Sequence, residues 1–162
     1  MLPTLKDTPE FGVRYGTDED TAFVYDSWLK SYRQSPDACR MTRDVYMRTQ
    51  KRIIAECLSR GTLIVACNPT DRRQIYGYSC VEYTRIGFVF HWIFVKYPFR
   101  KLGFARELIE LLIQNAPADL PLLASHISFP GFFEHVGPKY KITYDPSLKE
   151  GHHEREHANA KH

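Results

Sequence analysis

The segment from Phe88 to Ile113 constrains the fold of this 162-residue chain more than any other. Residues 88–95 read FVFHWIFV, and such a density of β-branched and aromatic side chains is typical of an interior strand. After Tyr97-Pro98 the pattern changes, and residues 104–113 have the apolar spacing of a packed helix. The sequence therefore predicts a buried strand, a short turn and a helix, an arrangement typical of α/β domains.

The turn between this strand and this helix has the sequence Arg100-Lys101-Leu102-Gly103-Phe104-Ala105. The first N–H groups of a helix have no acceptor within the helix, and they lie at the positive end of its dipole. A glycine lets the backbone approach a ligand closely, and two cations stand at the same place. The bottom-up expectation is a phosphate-binding turn.

Composition bounds the remaining possibilities. With 25% charged and 43% hydrophobic residues, the chain is expected to form one globular domain over 1–148, followed by a polar His-rich tail over 149–162. A net charge of +3 is too small to indicate nucleic-acid binding by itself. The chain start lacks the pattern of a signal peptide, and no apolar run approaches the roughly 20 residues of a membrane span. We therefore expect a cytoplasmic protein without a membrane partner.

Periodicity and turn chemistry predict the other elements along the chain. We expect helices from Asp18 through Tyr32, from Thr42 to about Ser59 and over 104–115, and one or two helical turns over 131–137. The predicted strands are 11–15, 62–67, 76–83, 88–95, 121–127 and 141–144. The order β-α-α-β-β-β-α-β-α-β predicts an α/β domain around a mixed sheet, with the phosphate turn after the fourth strand.

This order and the turn together resemble the GNAT superfamily of acyl-CoA N-acyltransferases. Arg100, Gly103 and Ala105 fill the three defined positions of that family's R/Q-x-x-G-x-G/A motif, and Val95 supplies the usual lead-in. The resemblance covers about residues 11–144, although only 91–112 match at motif level. It implies a mixed, mostly antiparallel central sheet flanked by helices. It also implies an N-acyltransferase whose co-substrate is an acyl-CoA, with acetyl-CoA the first choice.

The resemblance also assigns binding roles within this segment. In the family, the backbone N–H groups of the turn hold the pyrophosphate of acetyl-CoA, and the strand before it pairs with the pantetheine arm. The pyrophosphate residues would be Arg100, Lys101, Gly103, Phe104 and Ala105. The pantetheine residues would be Ile93, Phe94 and Val95.

Acyl transfer requires a neutral amine and a protonated leaving thiolate. His91 is the first candidate for the base: some relatives have a histidine at this offset, and we expect it on the same strand face as Ile93 and Val95. Glu82 on the preceding strand is the second. Many relatives protonate the thiolate with a Tyr, but here Phe133 stands in that position and cannot donate a proton. The candidates to replace it are Tyr140, Ser128, Ser125, His126 and solvent.

Several alternatives remain at this stage. The Phe at position 133 favours a catalytically weak or inactive GNAT-fold protein with a binding or structural role. The basic segment Arg40–Arg52 leaves open a GNAT-like protein that modifies nucleic acid. Compact GNAT-like proteins of this size occur in tailed phages, in which case the location would be the host cytoplasm. The acceptor would be a small-molecule or protein amine, and a homodimer is compatible with the resemblance. His153–His157 formally matches the zinc-protease motif H-E-x-x-H, but it lies in the polar tail and we expect no metal site.

Overall fold

The computed structural model of the chain describes residues 4–129 and 131–150, without the side chain of Phe133. Most of the predicted tail, including His153–His157, lies outside the described residues. The strands are β1 (Gly12–Tyr15), β2 (Thr62–Cys67), β3 (Ile75–Tyr83), β4 (Phe88–Val95), β5 (Leu122–Ala124) and β6 (Ile142–Tyr144). The helices are α1 (Thr21–Tyr32), α2 (Arg43–Arg60), α3 (Phe104–Asn115) and the single turn α4 (Gly137–Tyr140), which a π-helical turn (Phe132–Val136) precedes.

The six strands form one sheet in chain order, from β1 to β6. The pairings β1–β2, β2–β3 and β3–β4 are antiparallel, whereas β4–β5 and β5–β6 are parallel. The predicted α/β class and the mixed sheet are confirmed, but the expectation of a mostly antiparallel sheet is wrong. After β5 the chain returns through the helical segment 132–140, and a crossover of this kind brings the next strand in parallel.

Each face of the sheet packs against its own helices. On one face, the apolar positions of α3, among them Leu108, Ile109 and Leu112, pack with Phe90 and Ile93 of β4. On the other face, α1 and α2 pack against β3 and β4 through a second buried cluster that includes Trp28, Tyr46, Ile54, Tyr78 and Trp92. The sheet is therefore the middle of three layers, and α1 and α3 flank the end of β4 from opposite sides.

The strands β4 and β5 separate soon after they pair. Phe88–Phe90 lie opposite Leu122–Ala124, and one further backbone hydrogen bond joins the N–H of Ser125 to the carbonyl of Phe90 at 3.1 Å. Beyond this point a side chain bridges the two segments, because the hydroxyl of Ser128 accepts from the N–H of Ile93 at 3.0 Å. The divergence leaves room beside the last residues of β4.

Within residues 4–129 and 131–150, no helix combines the length and the apolar character that a membrane crossing would need.

Candidate functional site

A cleft of about 880 Å³ occupies the space beside the end of β4. Its walls are α1, the last residues of β4, the turn before α3, and the residues Ser128, Phe129 and Val136. Apolar side chains form much of its lining, with charged groups from the turn and from α1 among them. A concave site of this size, mainly apolar with a few polar groups, is typical of small-molecule binding.

All eight residues that the sequence assigned to binding line this one cleft. They are Ile93, Phe94, Val95, Arg100, Lys101, Gly103, Phe104 and Ala105. The strand residues and the turn residues are thus brought together on the same wall, as their order along the chain led us to expect.

The backbone of β4 faces the cleft at every second residue. The N–H of Lys96 donates to the carbonyl of Tyr76 at 2.8 Å, and in an antiparallel pair hydrogen-bonded residues alternate with residues that point away. Ile93 and Val95 therefore turn their N–H and C=O groups from β3 towards the cleft, which the bond from Ile93 to Ser128 confirms. Ser128 already accepts from the Ile93 N–H, and the Val95 carbonyl accepts from Arg100, so this edge offers the carbonyl of Ile93 and the N–H of Val95 to an extended ligand.

The turn before α3 has an unusual backbone conformation. Gly103, the N-cap of α3, has φ +82°, and Lys101 has φ +67°. A Cβ at Gly103 would come no closer than 3.5 Å to the Arg106 side chain, so the glycine is needed for its conformation and not for space. No side chain of the described residues caps α3, and the N–H groups of its first turn are left for an external acceptor. Such a helix start favours an anion.

Arg100 helps to hold the turn against β4. Its Nε donates to the carbonyl of Val95 at 2.7 Å, and its guanidinium lies over the ring of Phe94, 5.5 Å from the centroid. The remaining N–H groups of the guanidinium are not used in these contacts. Arg100 therefore has a structural task as well as a charge to offer at the cleft.

One face of α1 forms the opposite wall, and the sequence analysis did not assign it to the site. Its members recur at spacings of three and four residues, the spacing of one helix face, and include the hydroxyls of Ser27 and Ser31 and the ion pair of Lys30 with Asp26, at 3.0 Å. The full set is Phe23, Asp26, Ser27, Lys30 and Ser31 of α1, with Gln34 just after the helix. This spacing of small and polar side chains was the sequence pattern that could have indicated a second wall of the cleft.

The charges around the cleft favour an anionic ligand. Among the described lining residues, the cations Lys30, Arg100, Lys101 and Arg106 stand against a single carboxylate, that of Asp26. Three of these cations belong to the turn and the first helical turn after it, where the helix dipole adds positive potential.

The two residues predicted as bases, His91 and Glu82, are buried and do not line the cleft. A β-bulge accounts for the orientation of His91: Phe90 lies opposite Val81 and Trp92 lies opposite Cys80, so His91 is the extra residue. Its imidazole contacts Glu82 (Nε2 to Oε1, 3.2 Å) and Ser125 (Nδ1 to Oγ, 2.7 Å). The prediction that His91 shares a face with Ile93 and Val95 is wrong, because those two join the α3 cluster.

The candidate proton donors divide in the same way. Tyr140 is partly buried on α4 and donates its hydroxyl to Glu110 of α3, and this bond lowers the pKa of Glu110. Ser125 and His126 are buried beside His91, whereas Ser128 lines the cleft. The Phe133 side chain lies outside what the structure describes.

The described lining of the cleft contains no histidine, glutamate, tyrosine or cysteine. Its side chains can bind an anion and orient an extended chain along β4. The hydroxyls of Ser27 and Ser31 donate to carbonyls within α1, so Ser128, which accepts from Ile93, is the lining serine whose hydroxyl can still donate. The one carboxylate, Asp26, is paired with Lys30 on an exposed part of α1. The arrangement is that of a binding cleft whose chemistry depends on backbone groups and position.

Neither the family models nor the sequences of curated proteins give a match to this chain. Solved structures do match its fold. A protein provisionally described as an acetyltransferase from Pyrococcus furiosus matches with a TM-score of 0.59 at 18% identity, over 80% of this chain and 92% of its own. One from Clostridium difficile 630, described in similar terms, matches with a TM-score of 0.53 at 12% identity, over 80% and 87%.

A third structure, named as a GNAT-family acetyltransferase from Staphylococcus aureus Mu50, matches with a TM-score of 0.46 at 15% identity, over 65% of each chain. The first two of these structures are provisionally described as acetyltransferases, and the chain shares their fold. At these identities the likeness concerns the fold, and the activity has to be argued from the cleft.

Proposed function

We propose that the protein is an acyl-CoA-dependent N-acyltransferase, with acetyl-CoA as the co-substrate and a small-molecule or protein amine as the acceptor. One observation carries the proposal: the eight residues assigned to acyl-CoA binding from the sequence all line a single cleft of about 880 Å³. The cationic turn, the uncapped start of α3, and the carbonyl of Ile93 and N–H of Val95 at the edge of β4 are the features that an anionic, extended thioester would use.

Each part of the wall has its own task in this proposal. The N–H groups of Gly103, Phe104 and Ala105 would bind pyrophosphate oxygens, with Lys101 and Arg106 adding charge. The backbone of Ile93 and Val95 would pair with the pantetheine amides as a further strand does. The hydroxyl of Ser128, 3.0 Å from the Ile93 nitrogen, is the described group best placed to donate a proton near the end of that path.

The neutral nitrogen of the acceptor would attack the thioester carbon and form the new C–N bond. The C–S bond would break, and the proton that the nitrogen loses would pass to the departing thiolate. The described lining includes no histidine or glutamate that could take the amine proton. The amine would therefore react from its neutral form, supplied by its own equilibrium with solvent. The rate should rise with pH until the amine is fully neutral, because that form is the nucleophile.

Calorimetric titration with acetyl-CoA tests the binding step, and release of free CoA thiol in the presence of a panel of amines tests the transfer. We expect one binding site per chain and amine-dependent thiol release. Absence of binding at high-micromolar acetyl-CoA would contradict the proposal as a whole.

A second candidate function is binding of an acyl-CoA without transfer. It is favoured by the position of His91, Glu82 and Tyr140 outside the described lining of the cleft. Tight binding of acetyl-CoA with no thiol release for any amine class would support this candidate over the enzyme.

A further inference from the structure

Five buried polar side chains form a continuous hydrogen-bonded network in the protein interior, beside β4. Gln50 of α2 contacts His126 (Nε2 to Nε2, 3.4 Å), and Ser125 Oγ lies 2.8 Å from His126 Nδ1 and 2.7 Å from His91 Nδ1. His91 Nε2 then lies 3.2 Å from Glu82 Oε1. The exposed fractions run from 0% for His91 and Ser125 to 6% for Glu82, so the contacts exclude bulk water.

With the Gln50 amide nitrogen towards His126, these contacts admit one direction of donation in which every group is satisfied. The amide of Gln50 donates to His126 Nε2, His126 Nδ1–H donates to Ser125, the Ser125 hydroxyl donates to His91 Nδ1, and His91 Nε2–H donates to the Glu82 carboxylate. Arg60 also contacts that carboxylate, at 3.4 Å, and balances its charge. Both histidines are then neutral, and no buried charge lacks a partner.

The network lies at the point where β4 and β5 separate. Ser125 makes the last backbone bond to Phe90, and His91 is the extra residue of the β4 bulge. The next residues that face away from β3 are Ile93 and Val95, whose backbone borders the cleft. Ser125 therefore joins the residue that ends the β5 pairing to the residue that shifts the register of β4.

We propose that this network of five hydrogen-bonded side chains fixes the point at which β4 and β5 separate, and that Ser125 and His91 are positioning residues for the cleft. They act through the backbone of Ile93 and do not touch the ligand. The expected effect on CoA affinity rests on the proposed function, whereas the expected effect on amide hydrogen exchange at Ile93 does not.

The test is the variant Ser125→Ala, which removes the hydroxyl shared by the two histidines with almost no change in volume. Ser79→Ala is the matched control, because Ser79 is also fully buried but donates to the carbonyl of Trp92 on the β3 side of β4. We expect faster amide hydrogen exchange at Ile93 in Ser125→Ala than in Ser79→Ala or the parent protein. We also expect CoA affinity to weaken about tenfold in Ser125→Ala alone.

Nitrogen NMR of the imidazole rings gives a readout that packing alone would not produce. In the parent protein at neutral pH, we expect His91 protonated at Nε2 only and His126 at Nδ1 only. The variant Glu82→Gln keeps an acceptor oxygen and should preserve this pattern if Ser125→Ala proves too unstable to study.

Each result bears on the inference. An imidazolium at either position, or unchanged Ile93 exchange in a folded Ser125→Ala protein, would overturn it. If the parent protein binds no CoA but Ser125→Ala still accelerates Ile93 exchange, the proposed function fails and the positioning role stands.

Discussion

Two polar regions lie a few residues apart along β4, and they differ in how their groups are satisfied. Around His91, the side chains of Glu82, Ser125 and His126 form hydrogen bonds among themselves and are almost fully buried. Past Ile93, the backbone of β4 and the start of α3 face a cleft, with cations at its rim. The first region has acid–base groups but no access, whereas the second has access but few acid–base groups.

The comparison shows that residue type alone does not locate a site. A histidine beside a glutamate and a serine is a combination typical of catalytic sites. Here, however, the histidine is buried and fully hydrogen-bonded, so it belongs to the protein interior. The groups that can bind a ligand are backbone amides that a helix start and a strand edge leave without a partner.

Ala105→Glu should have the largest effect on the cleft. A carboxylate in the first turn of α3 suits the helix dipole, so the fold should persist, but it opposes an anionic ligand. We expect CoA affinity to fall by about 100-fold or more in a calorimetric titration. Ala105→Gln has the same size without the charge, and a loss as large in that variant would contradict the electrostatic explanation.

Glu82→Ala should act mainly on stability. Removing the carboxylate leaves the buried His91 Nε2 without its partner and takes away the charge partner of Arg60, at a cost of about 2 kcal/mol in the free energy of unfolding. Urea denaturation measures this cost. The control Glu150→Ala breaks the exposed contact with Arg52 and should change stability by less than about 1 kcal/mol. Equal effects in the two variants would argue against a tightly coupled buried region.

The buried region should also make stability depend on pH. Burial, and then the charge of Lys149, lower the pKa of His126 well below its ordinary 6.5. Below pH 6.5 the unfolded chain therefore binds a proton that the folded chain does not, and the unfolding free energy falls as the pH drops. The slope from this one group approaches about 1.4 kcal/mol per pH unit. Denaturation series at several pH values, compared with His126→Gln, should show that the variant lacks this component; an identical slope would refute it.

Lys101→Gln should have the smallest effect. Lys101 is exposed at the rim of the cleft, so its charge acts through solvent and is screened by salt. We expect CoA affinity to fall about threefold at low ionic strength and to match the parent protein at about 0.5 M salt. A loss that persists at high salt would mean that Lys101 makes a direct, desolvated contact.

The sequence alone predicted the strand, turn and helix that make one wall of the cleft, because local patterns specify them: β-branched residues in β4, Gly103 at the turn, and apolar spacing in α3. It did not predict the other wall, because nothing local relates Ser27 or Lys30 of α1 to the end of β4. It also placed His91 on the wrong face. A one-residue bulge reverses the alternation of a strand, and the register against β3 that creates it is a tertiary property.

The direction of β6 was equally beyond local patterns. Residues 142–144 read as a strand, but whether they pair parallel or antiparallel with β5 depends on the path of the helical segment between them. Because β6 pairs parallel with β5, the sheet ends in two parallel pairs after its three antiparallel pairs.

Backbone amide hydrogen exchange with and without CoA tests the central claim most directly. The account predicts that CoA slows exchange at Val95 and at residues 103–106, with little change in α2 or around His91. No protection at the turn, or protection confined to α2 and the His91 region, would contradict the assignment of the cleft as the ligand site.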